Sequence, residues 1–569
     1  MTLHQKREKG MVSNLLKNGQ ALIAKQQNSI LSAAFVITLA SLVSAVLGFI
    51  RERVLISYFF TNSKEALDAF RIASRLPELA FQILVVGALS AAFIPIFSKY
   101  LAKSKQEAYE ISSSIINIVL LLFIVISAVI FINAEGFIRL ITSVGFSDSQ
   151  IVVAAKLTRV MLLAQFFFAI SNFLTGMIQS HQRFLVPALA PLAHNLGIII
   201  GIIAFKPIFG IYSAAIGIVL GSFLHLLFQL PLAIKLGFSY RLSLKLYHPG
   251  VKEMLRLIPA RTLTISVNQL EYFATGYFAT AMSVGSLTLF EIAQRLMSAP
   301  IRVFAVPIGQ ASLPFLSQET AADKRAEFKT MIIKSLHKIM FLTLPASIIL
   351  IVLRIPLVRI LYGAKSFPWS ATLLTGQAVA VLSLSIFAQS AHHILSRAFY
   401  AMENTKTPFK IATLAMMINL TISYIATFIL KSNIVGIAWA LTISSILHVI
   451  ILLGALHRRT GGFDLPALLN PIGKMIITTL ATGICLWVPM RLLDQFVFDT
   501  TKTIPLIILT VVVSSIGFIV YLLFSKLLGV AELAEFRALI GKLGNWQKAL
   551  TPSAEVIQTD GPSQEVNPS

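Results

Sequence analysis

Fourteen stretches of this chain are apolar for about 20 residues or more, the length an α-helix needs to cross the hydrocarbon core of a bilayer. They fall near 30–51, 67–97, 111–133, 152–180, 184–204, 211–234, 254–282, 286–317, 331–353, 371–401, 408–430, 434–455, 472–490 and 503–528. Only 12% of the residues are charged and 56% are hydrophobic, against roughly 25% charged in a soluble domain. Such a chain is compatible with lipid as its solvent and not with several soluble domains in series. The fold class expected is all-α: a polytopic membrane protein of about fourteen transmembrane helices. The second, fourth, eighth and tenth runs exceed the minimum and are expected to tilt or to extend past the bilayer.

The formal net charge of +23 lies mostly in short gaps between runs. Lys99, Lys103 and Lys105 follow the second run; Lys235, Arg241, Lys245 and Lys252 the sixth; Lys324, Arg325, Lys329 and Lys334 the eighth; Lys406 and Lys410 the tenth; Arg458 and Arg459 the twelfth. Gaps after odd runs are poorer in base, except the one holding Arg354, Arg359 and Lys365. Basic residues are retained on the cytoplasmic side of a membrane, so both termini are expected in the cytoplasm and the chain in a cytoplasmic (inner) membrane. No basic segment is interleaved with aromatics, and no nucleic-acid partner is expected. The single Cys485 forms no internal disulfide, and no Cys/His cluster has metal spacing. Residues 1–29 are polar and basic, without the short apolar core and small-residue site of a cleaved signal.

An internal repeat is visible. Ala91 to Ser98 resembles Gln310 to Ser317, with prolines 219 positions apart (314 − 95), and Leu174 to Pro187 resembles Leu395 to Pro408 at an offset of 221. Two agreeing offsets at the ends of even runs predict two parallel six-helix lobes, and transporters commonly bind cargo between such halves. The expected division is a basic cytoplasmic tail over 1–29, an N-lobe of six helices over 30–234, a cytoplasmic linker over 235–253, a C-lobe of six helices over 254–455, two further helices over 472–528, and a partly disordered cytoplasmic tail over 529–569. Within that tail, the mixed-charge stretch up to Leu550 is expected to include a short surface helix.

Ionisable residues in apolar helices are expensive, roughly 2.5–3.5 kcal/mol each on insertion scales, and mark function by default. Here they form stripes. Asp68, Arg71, Arg75, Glu78 and Gln82 of the second run share an arc of about 80° on a helix, and Glu291, Gln294, Arg295, Ser298 and Arg302 of the eighth an arc of about 100°. The first run carries Ser41, Ser44, Gly48 and Arg51 on one face, with Glu52 alongside. Pro300, Pro307 and Pro314 permit breaks in the eighth run. One reading is structural: the charges lock helices together as ion pairs. The other follows from the basic excess, since unpaired arginines in a shared cavity attract an anion, and the planar guanidinium suits phosphate. Glu271 and Asn419 are too few to define a cation site, and His392 and His393 read as packed histidines.

The sequence Ser44-Ala45-Val46-Leu47-Gly48-Phe49-Ile50-Arg51-Glu52, then Asp68-Ala69-Phe70, Arg75-Leu76-Pro77-Glu78 and Gly87 to Pro95, resembles the N-terminal signature of the MurJ/MviN family. Gln294-Arg295-Leu296 with Pro307-Ile308-Gly309 and Leu313-Pro314 resembles its eighth helix, and Phe399-Tyr400-Ala401 with Lys406-Thr407-Pro408 its tenth-to-eleventh hairpin. The resemblance covers nearly the whole chain in order and spacing. It implies membership of the multidrug/oligosaccharidyl-lipid/polysaccharide exporter superfamily and transport of lipid II, the undecaprenyl-pyrophosphate-linked disaccharide pentapeptide, through a cationic cavity between two lobes. By position it implies that Arg51, Glu52 and Arg295 bear on the pyrophosphate and that Asp68 is a functional acid. The sequence departs from the family where Ala45 stands for an arginine, where Phe81 and Gln82 stand for basic residues and where Val86 stands for an acid.

The substrate-binding set expected is therefore Arg51, Glu52, Asp68, Arg71, Arg75 and Arg295. Arg51 and Arg295 would clamp the pyrophosphate, Glu52 and Asp68 would orient the arginines, and Arg71 and Arg75 would replace the missing basic content. No cofactor or metal is expected; membrane potential or a monovalent cation would supply the drive. Cell-wall synthesis and division proteins are the expected partners besides lipid II and the bilayer. The alternatives are a flippase for another lipid-linked oligosaccharide, a related exporter, and, less favoured, a membrane-embedded glycosyltransferase. The last is disfavoured by the lack of a large loop or paired-carboxylate motif. A further alternative is a scaffold for cell-wall or division proteins, which inactive cavity mutants that still rescue growth would favour.

Overall fold

The computed structural model describes residues 30–60, 63–86, 93–321, 324–363, 367–499 and 502–543. The N-terminal tail, the motif over 87–92 and the tail beyond 543 lie outside the described residues. In chain order the helices are α1 (Ile30–Phe59), α2 (Lys64–Phe81), α3 (Ile94–Leu101), α4 (Lys105–Ile132), α5 (Ala134–Ile141), α6 (Asp148–Ser180), α7 (Leu185–Phe209), α8 (Tyr212–Lys235), α9 (Pro249–Thr280) and α10 (Ser286–Pro300). There follow α11 (Val306–Ala321), α12 (Arg325–Val352), α13 (Arg354–Tyr362), α14 (Trp369–Ser383), α15 (Ile386–Ala401), α16 (Lys406–Tyr424), α17 (Ile434–Arg459), α18 (Leu465–Phe496), α19 (Thr503–Leu527) and α20 (Glu532–Leu543).

Each apolar run lies on one of these helices or on a broken pair. Among the described residues ten spans are able by length and composition to cross a membrane, one of them running from α10 into α11, or eleven when α14 and α15 are joined across their 42° bend. That measure does not reach fourteen. It misses α2 because Lys64, Glu65, Asp68, Arg71, Arg75 and Glu78 crowd its 18 residues. The helix forms despite this because its apolar positions fall on other faces, so one stripe carries the charge. Local signals set several starts. Ser104 accepts from the Glu107 amide at the head of α4, Ser147 and Gln150 form a reciprocal capping box on α6, and Asp464 caps α18. Each satisfies amides that a helix leaves without partners.

The repeat is visible in backbone geometry. A π-helical turn over Gln82–Val86 follows α2, and another over Ile301–Ala305 follows α10. Their starts are 219 apart (301 − 82), the offset of the prolines in the sequence. The second begins directly after Pro300, whose missing N–H frees a carbonyl and permits the wider turn. Gln182 and Glu403, non-glycine residues with φ of 57° and 56°, end α6 and α15 at an offset of 221 (403 − 182). A further π turn, Ile425–Ile429, falls where the first half has the regular helix α7.

Helices before residue 236 pack mainly on one another, with α8 against α7 and α6, α2 against α6, and α1 against α7. Those after 248 do likewise, and α18 and α19 lie against α12 and α13. The two sets meet where α13 touches α1, α10 touches α2, and α9 touches α2, α4 and α5. One apolar core runs through both sets, whereas a second is confined to residues between Phe81 and Met254. The surface helix expected after the last run is α20, fixed to α12 by Glu532–His337 at 3.2 Å and Glu535–Lys338 at 2.8 Å.

Helices α7 and α8 cross in backbone contact. Gly197 and Gly201 of one face Gly221 and Gly217 of the other, and a Cβ at Gly201 would overlap the Gly217 backbone. Small residues four apart permit such an approach in lipid, where packing rather than apolar burial holds helices together. Gly201→Ala is expected to destabilise the purified protein by about 1–3 kcal/mol through overpacking. Gly454→Ala, where a Cβ meets nothing within 4 Å, is the control expected to leave the thermal midpoint unchanged or raised.

Candidate functional site

The three charged stripes converge. Glu52, near the end of α1, is 2% exposed and is the shared partner of three arginines. Arg71 of α2 pairs with its Oε1, Arg295 of α10 lies 3.1 Å from its Oε2, and Arg51 lies 4.0 Å from the same oxygen. A second carboxylate, Glu291, takes Arg75 at 3.0 Å and Arg71 at 3.6 Å. The one-turn spacing of Arg71 and Arg75 on α2, and of Glu291 and Arg295 on α10, lets the two helices present alternating charges to each other.

Neighbouring helices fix the guanidinium groups. Arg75 donates to the Tyr272 carbonyl oxygen, and its guanidinium lies 4.0 Å from the centre of the Tyr272 ring. One turn on, Gly276 leaves the space that the Arg75 guanidinium fills; a Cβ there would collide with it. Arg51 donates to Asn195 Oδ1 at 3.0 Å, and Asn195 Nδ2 donates to the Ser44 carbonyl at 3.3 Å. Buried ion pairs of this kind are costly to desolvate and are strongly destabilising to break. Their main product is a fixed arrangement of α1, α2 and α10.

The six expected residues thus separate into different environments. Arg71 and Arg75 are buried among carboxylates, as the ion-pair reading requires. Arg51 and Arg295 keep side-chain exposures of 24% and 38%. Asp68 corrects an expectation: it orients no arginine. Its carboxylate accepts from the amides of Gly285 (2.6 Å) and Thr288 (3.1 Å) and from the Thr288 hydroxyl (2.7 Å). It therefore caps the N-terminus of α10, where Gly285 with φ of +92° has no side chain to do so. Arg53 donates to the Ile360 carbonyl at 2.8 Å, and Arg302 is exposed, so neither joins the cluster. The cluster is not a pool of unpaired cations, since Glu52 and Glu291 engage its arginines and Glu78, partly exposed, lies within the field of Arg75 and Arg295; its accessible arginines are Arg51 and Arg295.

Sequence reasoning missed Asn195, Tyr272, Gly276 and Thr288. An asparagine in an otherwise apolar run was the one available signal. Elsewhere, Asn419 donates to Glu271 at 2.7 Å, and the His392 ring meets His448 in a tilted contact at 4.5 Å. The side chains of Arg261 and Asn268 lie outside the described residues. No group of three metal-binding side chains occurs among the described residues.

A bundle of apolar helices in two sets, joined at one end by a buried charge cluster with accessible arginines, defines a multi-pass membrane transporter. A solved structure described as "Lipid II flippase MurJ, inward closed conformation" superposes with a TM-score of 0.72 at 25% identity, covering 89% of this chain and all of that one. An inward-facing multidrug resistance MATE family transporter of the MOP superfamily shares the fold alone, with a TM-score of 0.60 at 16% identity over 75% of this chain and 98% of that one. The model of the family "Lipid II flippase MurJ" matches residues 55–510, and the chain belongs to that family. Its relatives include a probable lipid II flippase MurJ of Thermotoga maritima, 29% identical over 88% of this chain and 96% of its own length. A lipid II flippase MurJ of Burkholderia cenocepacia is 26% identical over 74% and 82%.

Proposed function

We propose that this protein carries lipid II from the inner to the outer leaflet of the bacterial cytoplasmic membrane by rocking two six-helix lobes, 30–234 and 254–455, around the charge cluster. Both termini lie in the cytoplasm in this reading. The supporting observation is that Arg51 and Arg295, one from each lobe, are the partly exposed arginines of a cluster whose other arginines are buried. A pyrophosphate bridging them would compete with Glu52, their shared carboxylate. Cargo binding would thereby replace an internal ion pair between α1 and α10 with one through the ligand, loosening the closed end as the headgroup arrives.

Glu52, Arg71, Arg75 and Asp68 hold the arginines and helices in register rather than meeting the headgroup. The lipid tail stays in the bilayer while the headgroup crosses. Membrane potential or a monovalent cation gradient drives the cycle without a bound cofactor, and cell-wall synthesis and division proteins receive the cargo.

Complementation tests this reading in cells whose own lipid II flippase can be shut off. At matched expression, wild type is expected to restore growth, while Arg51→Ala and Arg295→Ala are each expected to lower rescue at least about tenfold, the loss of one charge-assisted contact. Rescue by all three would remove the clamp and keep the cargo. A well-inserted wild type that fails where a close homologue succeeds would remove the cargo.

A further inference from the structure

The short helix α13, between the ninth and tenth apolar runs, ends in Tyr362. It is docked on α1 by the Arg53–Ile360 hydrogen bond of 2.8 Å, and just past the end of α1 the rings of Phe60 and Phe367 meet in a tilted contact at 4.8 Å. The Tyr362 ring belongs to the apolar core shared by both sets of helices and is 0% exposed. Its hydroxyl is buried and has no hydrogen-bond partner among the described residues. That hydroxyl lies within the electrostatic reach of Arg295, Arg71 and Arg51.

A buried hydroxyl without a partner destabilises the state that contains it. Phenylalanine would fill the same space without that cost. A tyrosine here therefore makes sense when another state supplies an acceptor. The three guanidinium groups acting on it have no acceptor atom, and the Glu52 carboxylate is engaged by the same arginines. The acceptor that the surroundings suit is an anion brought in from outside.

We infer that the Tyr362 hydroxyl donates a hydrogen bond to the pyrophosphate of the cargo once the headgroup displaces Glu52 from Arg51 and Arg295. This rests on the cargo reading above and adds a donor from α13 to it. The α13 segment would then sense an occupied site through its own side chain.

The test compares purified wild type with Tyr362→Phe. Thermal unfolding gives the stability of each, and equilibrium binding is measured with lipid II and with undecaprenyl pyrophosphate, which lacks the sugar and peptide. The variant is expected to unfold at the same temperature or higher and to bind both lipids about tenfold more weakly, the loss of one hydrogen bond to a charged group. Equal binding of both by variant and wild type overturns the inference. So does weakened binding of lipid II alone, which would place the contact on sugar or peptide. A lower unfolding temperature also overturns it, because the hydroxyl would then have a partner in the closed state. Wild type binding neither lipid removes the cargo reading itself, a result distinct from the other three.

Discussion

Glu291→Gln is expected to cost about 3–5 kcal/mol of stability, the range for removing one member of a buried ion pair. Glu291 is the carboxylate partner of Arg75, which is 1% exposed, and it also neutralises Arg71. With its charge gone, Arg75 keeps the Tyr272 carbonyl and ring and only the more distant charge of Glu78, and a guanidinium buried in this setting cannot reach water. The apparent unfolding midpoint in detergent or nanodiscs measures the loss. The double variant Glu291→Gln, Arg75→Met is expected to recover much of it, since a buried pair replaced by groups that need no counter-charge is often neutral. A midpoint unmoved by the single change, or no higher in the double variant, would show that the pair does not hold α2, α9 and α10 together.

Glu52→Gln should act on the conformational equilibrium, with a larger effect on transport than on stability. Three guanidinium groups from α1, α2 and α10 share this carboxylate. Once it is neutral they repel one another, and the end of the bundle they close should open. Thr280, buried at that end beneath the Ser143 amide at 3.0 Å, offers a reporter. In a background where the exposed Cys485 is replaced by alanine, Thr280→Cys is expected to react at least about tenfold faster with a membrane-impermeant thiol reagent when Glu52→Gln is present. That corresponds to about 1.4 kcal/mol in the opening equilibrium. Growth rescue should fall by about a hundredfold or more, because a transporter resting in one state has lost half its cycle. Unchanged labelling together with normal rescue would reduce Glu52 to a packing residue.

The helical architecture was legible because lipid imposes one rule: apolar runs of fixed length with internally satisfied backbones. The polar stripes were legible for the same reason, since Asp68, Arg71, Arg75 and Glu78 recur at helical spacing in a medium that tolerates no idle charge. Which charge meets which was not legible. Arg75 and Glu291 are 216 positions apart and Arg51 and Asn195 144, so their meeting depends on how the helices cross, which spacing along one helix does not encode. Asp68 shows the limit plainly. Its place on the stripe is the same whether it orients an arginine or caps a helix from the other lobe. Tyr362 carried no signal at all, because a tyrosine at the end of an apolar segment is ordinary until its hydroxyl is found alone beside arginines.

The paired π turns bear on ancestry. At Gln82–Val86 and Ile301–Ala305 the side chains have diverged while the backbone irregularity has kept its place. An extra residue in a helical turn is awkward to acquire, and gaining it twice at matching positions would need two separate accidents. Matching turns at one offset are what doubling of a six-helix unit within a single chain would leave. The two halves now carry different charges at the place where they meet, Arg51 in one and Arg295 in the other, on the two sides of Glu52.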